Sequence, residues 1–211
     1  MKCSFPKLEY EYDALVEYID KETMQFHHKK HHKQYFDELT ESLLREHAYY
    51  EGTLMDLLTY STLDEDTRFY GSAHFNHCLF WKILSPNKVD PSPKMKKIID
   101  KSFGSIGAMK NELVDSGCDI RGSGWLWLCK VEGFNKLIID TTSNEENPFT
   151  KNKNMDHKPV LCIDLWEHSY YLKYKDRKGA YLENILEIID WNVVENLYKN
   201  NPEQYSKSIE C

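Results

Sequence analysis

Residues 85–93 read SPNKVDPSP, with three prolines inside eight residues. Proline lacks a backbone donor and fixes its own φ, so a helix or central strand does not run through such a segment. The chain must therefore divide here, near residues 85–94. The division gives an N-terminal part of residues 1–88 and a C-terminal part of residues 89–211.

The two parts differ in period. Ahead of the prolines the apolar residues follow helical spacing. Residues 13–47 read as a long helical stretch, opened by Ala14, Leu15 and Tyr18 and continued by Met24, Tyr35, Leu39 and Leu43, with Asp20 or Thr23 as a cap. GTLMDLLTY predicts a short helix, and Glu65 to about Leu84 a longer one. Beyond the prolines, Lys94–Lys101 and Ile106–Ser116 read as short helices. Then GSGWLWLCKV, KLIIDTTS and PVLCIDLW follow, rich in β-branched, aromatic and leucine residues and bounded by turn formers, and they predict three strands. Tyr181–Lys199 returns to helical spacing, and the tail after Pro202 is expected to be a mobile extension. The fold class is α+β: an N-terminal helical hairpin domain, then a C-terminal α/β domain with a small three-stranded antiparallel sheet.

Several function classes are disfavoured by composition. The net charge of −7 argues against wholesale phosphate neutralisation, so nucleic acid is not an expected partner. No apolar run approaches the ~20 residues of a bilayer span, so no membrane partner is expected. The six cysteines are scattered and form no C-x-x-C pair, which speaks for buried free thiols in a reducing compartment. MKCSFPKLEYEYD has no apolar core of a signal peptide, and the expected localisation is cytoplasmic.

Three segments can carry chemistry. In HHKKHH, His27 and His31 are four apart, as are His28 and His32, so each pair shares a helix face. In AHFNHCLFW, His74 and His77 share a face beside Trp81. Taken singly, these are ordinary solvated or core histidines. DLWEHSYY shifts that balance. Asp164 ends an apolar strand, and His168 follows four residues later among aromatics. A carboxylate on such an element is costly unless paired or metal-bound. If the segments converge, two or three imidazoles and one carboxylate without thiolate suit Mn, Fe or Zn. Spacing alone goes no further.

The order and wording of these segments resemble the iron/manganese superoxide dismutase family over nearly the whole chain, from FPKLEYEYDAL to DWNVVENLY. FHHKKHHKQY resembles its first ligand helix, FNHCLFW its second, GSGWLWL its first-strand signature, and DLWEHSYY its D-x-W-E-H-A-Y-Y signature. The resemblance implies metal ligands His27, His77, Asp164 and His168, with a solvent molecule completing the site. It implies Tyr35 and His31 as the substrate gateway, and Trp81, Trp125 and Trp166 as an aromatic shell. It implies Glu167 and Tyr171 at a subunit interface, where Glu reaches the partner's ligand His. The implied reaction converts superoxide, a small anionic substrate, to dioxygen and hydrogen peroxide. The implied cofactor is one Mn per subunit, or Fe, in a homodimer or homotetramer.

The sequence departs from that family at one point of consequence. The family sets a Gln against the metal's solvent, either four residues before the second ligand His or in the turn after the second strand. Here these positions are Ala73 and, in TTSNEENPF, Glu145. A neutral Glu145 would restore the donor that an ionised one lacks. Layout and the LKYKDRK segment lean toward the manganese-type branch. Lys178 stands where the family usually has Arg, with Arg177 beside it, and Cys162 lies two residues before Asp164. The alternative readings are a family-derived metal-binding or structural protein with impaired dismutase activity, and an unrelated zinc hydrolase. The latter lacks an H-E-x-x-H motif.

Overall fold

The computed structural model describes residues 4–46, 50–59, 64–152 and 156–209. Asp20 caps the first helix by accepting from the Thr23 amide at 2.8 Å. The helix runs as α1 (Lys21–Phe26), a π-helical segment (His27–His32) and α2 (Lys33–Glu46). The helix begins later than expected, because residues 12–18 form turns that bury Leu15 and Ile19 and leave Val16 exposed. The π segment coincides with HHKKHH, and wide helical turns of this kind recur where a site must be shaped.

After α3 (Leu54–Thr59), Asp64 caps α4 (Glu65–Lys82), whose central residues from Gly71 to Trp81 are buried all round. Helix α4 packs along α2, which makes the hairpin. The proline segment leads to α5 (Pro93–Phe103) and α6 (Ile106–Asp119), capped by Ser92 and Ser105.

The strands are β1 (Gly124–Val131), β2 (Leu137–Ser143) and β3 (His157–Asp164), in the order β2-β1-β3, antiparallel throughout. Central β1 is buried on both faces, which explains its continuous apolar run WLWLC in place of alternation. A side chain at Gly124 would collide with the Thr142 carbonyl of β2, so the close approach of these strands needs glycine. A short helix, α7 (Pro148–Asn152), links β2 to β3. The register sets Trp125 opposite Asp164 and Thr142 at the exit of β2, so three site-bearing residues meet at one end of the sheet.

The C-terminal region corrects two expectations. Tyr181–Lys199 is not one helix. After a single 3₁₀ turn (Glu167–Ser169) and α8 (Tyr171–Tyr174) come α9 (Lys178–Ile185) and α10 (Trp191–Lys199). The break exists because residues 188–190 bond to the domain junction: Ser85 donates to Ile188 O at 2.9 Å and Asp190 to Ile83 O at 2.8 Å. The tail is also not a mobile extension. It forms α11 (Pro202–Ile209), docked through buried Tyr205 and Ile209. Lys158, itself buried, donates to Asn200 O at 2.5 Å and pairs with Glu132 at 3.1 Å. Of the cysteines, Cys129 and Cys162 are buried free thiols and Cys118 an exposed one, in line with mostly free thiols, whereas Cys78 is disulfide-bonded.

Candidate metal centre

Four elements deliver one side chain each or more. The π segment brings His27, α4 brings His77, the end of β3 brings Asp164, and the 3₁₀ turn brings His168. Their donor atoms lie within 4.8 Å of one another. Asp164 Oδ2 is the centre: His27 Nε2 stands at 2.9 Å, His168 Nε2 at 3.2 Å and His77 Nε2 at 3.7 Å. The other oxygen, Oδ1, accepts from the Trp166 amide at 2.8 Å, which fixes the carboxylate's rotation.

The imidazoles are arranged to offer lone pairs. His77 Nδ1 donates to the Ala73 carbonyl at 2.7 Å, which can only accept, so Nε2 is the unprotonated nitrogen. His27 Nε2 and His77 Nε2 are both buried and face the Asp164 carboxylate at 2.9 and 3.7 Å, and neither makes a well-directed hydrogen bond among the described residues. Burial pushes the His27 pKa down to about 4, with Asp164 opposing, and pushes His77 well down too. Burial alone would raise Asp164, yet His168 and His27 hold it below the usual carboxylate range. Buried imidazole nitrogens converging on one ionised carboxylate fit a divalent or trivalent cation at their focus. The three-nitrogen, one-oxygen set without sulfur suits Mn, Fe or Zn.

The surroundings are aromatic. The Trp81 ring meets His27 edge-on at 4.7 Å, Trp125 meets His77 at 5.1 Å, and Trp166 stacks on His168 at 5.8 Å. His31 stacks on His168 at 4.1 Å, and the Tyr35 ring lies 5.4 Å from His77. His31 is partly exposed, so it marks the open side of the site. The Tyr35 phenol is raised in pKa by burial, then by the charges of Glu145 and Asp164.

Glu145 lies inside this shell and not in solvent. It is 1% exposed, and its Oε2 accepts from Trp125 Nε1 at 2.9 Å and Asn76 Nδ2 at 3.2 Å. Its Oε1 is buried without a well-directed hydrogen bond among the described residues, and the Tyr35 phenol lies close enough to the carboxyl to shift both groups. Burial, then the Asp164 charge, raises its pKa well above the normal glutamate value. Ala73 contributes only its carbonyl. Sequence reasoning missed the support behind Glu145, where Asn147 Nδ2 donates to Asn76 Oδ1 at 3.2 Å. The one local signal was Asn76 next to His77 in FNH.

The remaining candidates fall elsewhere. His28 bonds Tyr12 and the Pro6 carbonyl, and buried His32 bonds Trp81 and His74, so HHKKHH is not a solvated cluster. His74 and His77 thus serve different neighbours despite their spacing. Cys162 Sγ faces the Asn76 carbonyl at 3.5 Å as a buried strand thiol. Lys178 donates to Ile120 O at 2.7 Å and lines a cleft of about 400 Å³ with Trp166, Glu167 and His168. Glu167 and Tyr171 are exposed on the outer side of the site.

Comparison with known proteins matches residues 2–85 to the α-hairpin domain of iron/manganese superoxide dismutases and residues 91–197 to their C-terminal domain. The chain belongs to this family. A superoxide dismutase [Mn] of Thermus aquaticus is 39% identical over 201 residues, covering 92% of this chain and 96% of that protein. The counterpart of Thermus thermophilus is 38% identical with the same coverage. A superoxide dismutase [Mn/Fe] 2 of Staphylococcus aureus is 38% identical over 212 residues, covering 94% of this chain and 98% of that protein. Among the described residues, no helix is long and apolar enough to cross a membrane.

Proposed function

We propose that this dismutase uses manganese, with iron as the alternative on the same ligands, and that His27, His77, Asp164 and His168 hold it. The observation that carries the reading is the convergence of the buried Nε2 atoms of His27 and His77, with His168 Nε2, on Asp164 Oδ2. When bound, the metal supplies one-electron chemistry by which two superoxide anions and two protons become dioxygen and hydrogen peroxide.

The protein's own residues do the rest. Trp81, Trp125 and Trp166 keep bulk water away and sharpen the local field. His31 and Tyr35 form the entrance, and Tyr35, whose phenol holds its proton across physiological pH, can hand a proton inward. Glu145 takes the position of the family's Gln. Burial raises its pKa well above the usual glutamate value, which favours a protonated carboxyl that can donate as the family's Gln amide does. With the chain divided at 88/89, His27 and His77 come from one part and Asp164 and His168 from the other, so metal binding would tie the two together.

Glu167 and Tyr171 are assigned to a homodimer contact, with a homotetramer as the larger assembly. Exposed Val16, Phe26 and Leu172 on neighbouring elements support an association surface there. Cytoplasmic residence rests on the free thiols Cys118, Cys129 and Cys162. The disulfide at Cys78 stands against it, and thiol titration of protein taken directly from cells would decide.

The test is metal analysis of the purified protein, then dismutase assays on manganese-loaded, iron-loaded and metal-free forms. Activity is expected with bound manganese and none without metal. Inactivity of both fully loaded forms would sink the reading.

A further inference from the structure

Far from the metal, a cavity of about 320 Å³ opens between α5 and α10. Its apolar surface comes from Met95, Ile98 and Tyr198, and its rim from Lys94, Lys97, Lys101 and Lys199. Lys94, Lys97 and Lys101 are spaced three and four apart, so they share one face of α5. Like charges at this spacing disfavour a helix, and Lys94 also sits in the first turn, where the helix dipole favours anions. Among the described residues, Lys94, Lys97 and Lys101 form no salt bridge.

The acid at this cavity does not neutralise the rim. Glu195 is 6% exposed, and its two oxygens accept from the Ser92 amide at 2.7 Å and the Ser92 hydroxyl at 2.9 Å. Only Lys199 also reaches it, at 3.3 Å. With Lys199 paired to Glu195, Lys94, Lys97 and Lys101 leave a positive rim on a protein of net charge −7. A second observation is independent of charge. The Tyr198 ring lines the cavity, and its hydroxyl, itself inaccessible to solvent, has no hydrogen-bond partner among the described residues. Native proteins rarely leave such a donor unsatisfied.

We propose that this cavity binds a small amphiphilic anion, an apolar chain or ring bearing a carboxylate, with its body on Met95, Ile98 and Tyr198 and its head among Lys94, Lys97, Lys101 and Lys199. The volume lies at the small end of ligand pockets, so it holds one short molecule and not a long lipid. The lysines alone would attract any anion. The apolar floor selects one that brings hydrophobic surface with it.

The experiment is calorimetric titration of the full-length, metal-loaded protein with octanoate, octanol and inorganic phosphate. Octanoate is expected to bind saturably at one site per chain, at least about tenfold more tightly than either of the others. The double charge reversal Lys97→Glu/Lys101→Glu lies outside the metal site. It is expected to weaken octanoate about tenfold while dismutation and thermal midpoint stay as in the parent. Octanol binding equally well would remove the anionic head from the proposal. Phosphate binding equally well would remove the apolar body. Unchanged octanoate affinity in the double variant would overturn the site itself.

Discussion

Trp125 Nε1 donates a 2.9 Å hydrogen bond to Glu145 Oε2, so the carboxyl that follows β2 is held against the indole that opens β1. The register explains the meeting: Trp125 pairs with Thr142 on one side and Asp164 on the other. One tryptophan thus touches both the acid in the outer position and the strand that ends in the proposed ligand.

The first prediction concerns Glu145. Burial and the Asp164 charge raise its pKa above the ordinary value, so folding takes up a proton there. Its contribution is complete below the unfolded pKa and is lost as pH rises toward the folded one. Glu145→Gln removes this loss and still offers an oxygen to Trp125 and Asn76. The variant should exceed the parent in stability near pH 8 and match it near pH 4. Urea unfolding at both pH values measures this. Equal stability at both would mean that Glu145 is solvated and ionised.

A second prediction follows from His27, whose pKa is pushed down to about 4 by burial. A histidine lowered on folding stabilises fully above its unfolded pKa of ~6.5, and that stability is lost as pH falls toward the folded value. For this group alone the loss is on the order of 3 kcal/mol. His77 is shifted in the same direction and deepens it, whereas the loss from Asp164 begins only below the ordinary carboxylate pKa. Metal-free protein should therefore weaken steadily from neutral to mildly acid pH in denaturant titrations. His27→Gln should flatten that slope; an unchanged slope would assign it to other groups.

The proposed subunit contact makes a third prediction. Glu167 and Tyr171 are exposed, and the Lys173 ammonium ties this turn to the Val16 carbonyl at 2.6 Å. Truncating both exposed residues to alanine should weaken self-association by at least about tenfold, with loss of activity on dilution. Sedimentation across a concentration series reads the first effect. Unaltered association would move the interface elsewhere on the molecule.

The legibility of the sequence varied with how local each signal was. His27, His77, Asp164 and His168 were readable because each sits in a short aromatic motif, and the motifs occur in a recognisable order. The three strands were readable from WLWLC, LIID and VLCID, short apolar runs of aromatic, leucine or β-branched residues bounded by turn formers. Leu15 and Tyr18 misled because turns can place apolar residues at helix-like spacing. Ile188–Asp190 misled because distant partners, Ser85 and Ile83, outcompete the local helix. The Asn147–Asn76–Glu145 chain and the His32–His74 bond join residues 42 to 71 positions apart, and no local pattern encodes such contacts. Glu145 itself came from resemblance, not from any pattern in NEENPF.

The last prediction tests the tail. PEQYSKSI carries only two buried side chains, Tyr205 and Ile209, so its apolar pattern is too sparse to announce a docked helix. Packing supplies what the pattern lacks. The Tyr205 ring is fully buried, meets Phe149 edge-on at 6.1 Å and lies under the Lys158 ammonium at 5.4 Å. Its hydroxyl donates to the Pro159 carbonyl of β3 at 2.7 Å. Tyr205→Ala removes the ring and leaves a cavity, at a cost of about 3–5 kcal/mol. Tyr205→Phe loses only the hydrogen bond, about 1 kcal/mol, and leaves the Pro159 carbonyl to find water. The two variants should therefore differ in unfolding free energy by at least about 2 kcal/mol, with metal content unchanged in both. If Tyr205→Ala unfolds at the same denaturant concentration as the parent, the tail contributes no packing and the expectation of a loose extension was right.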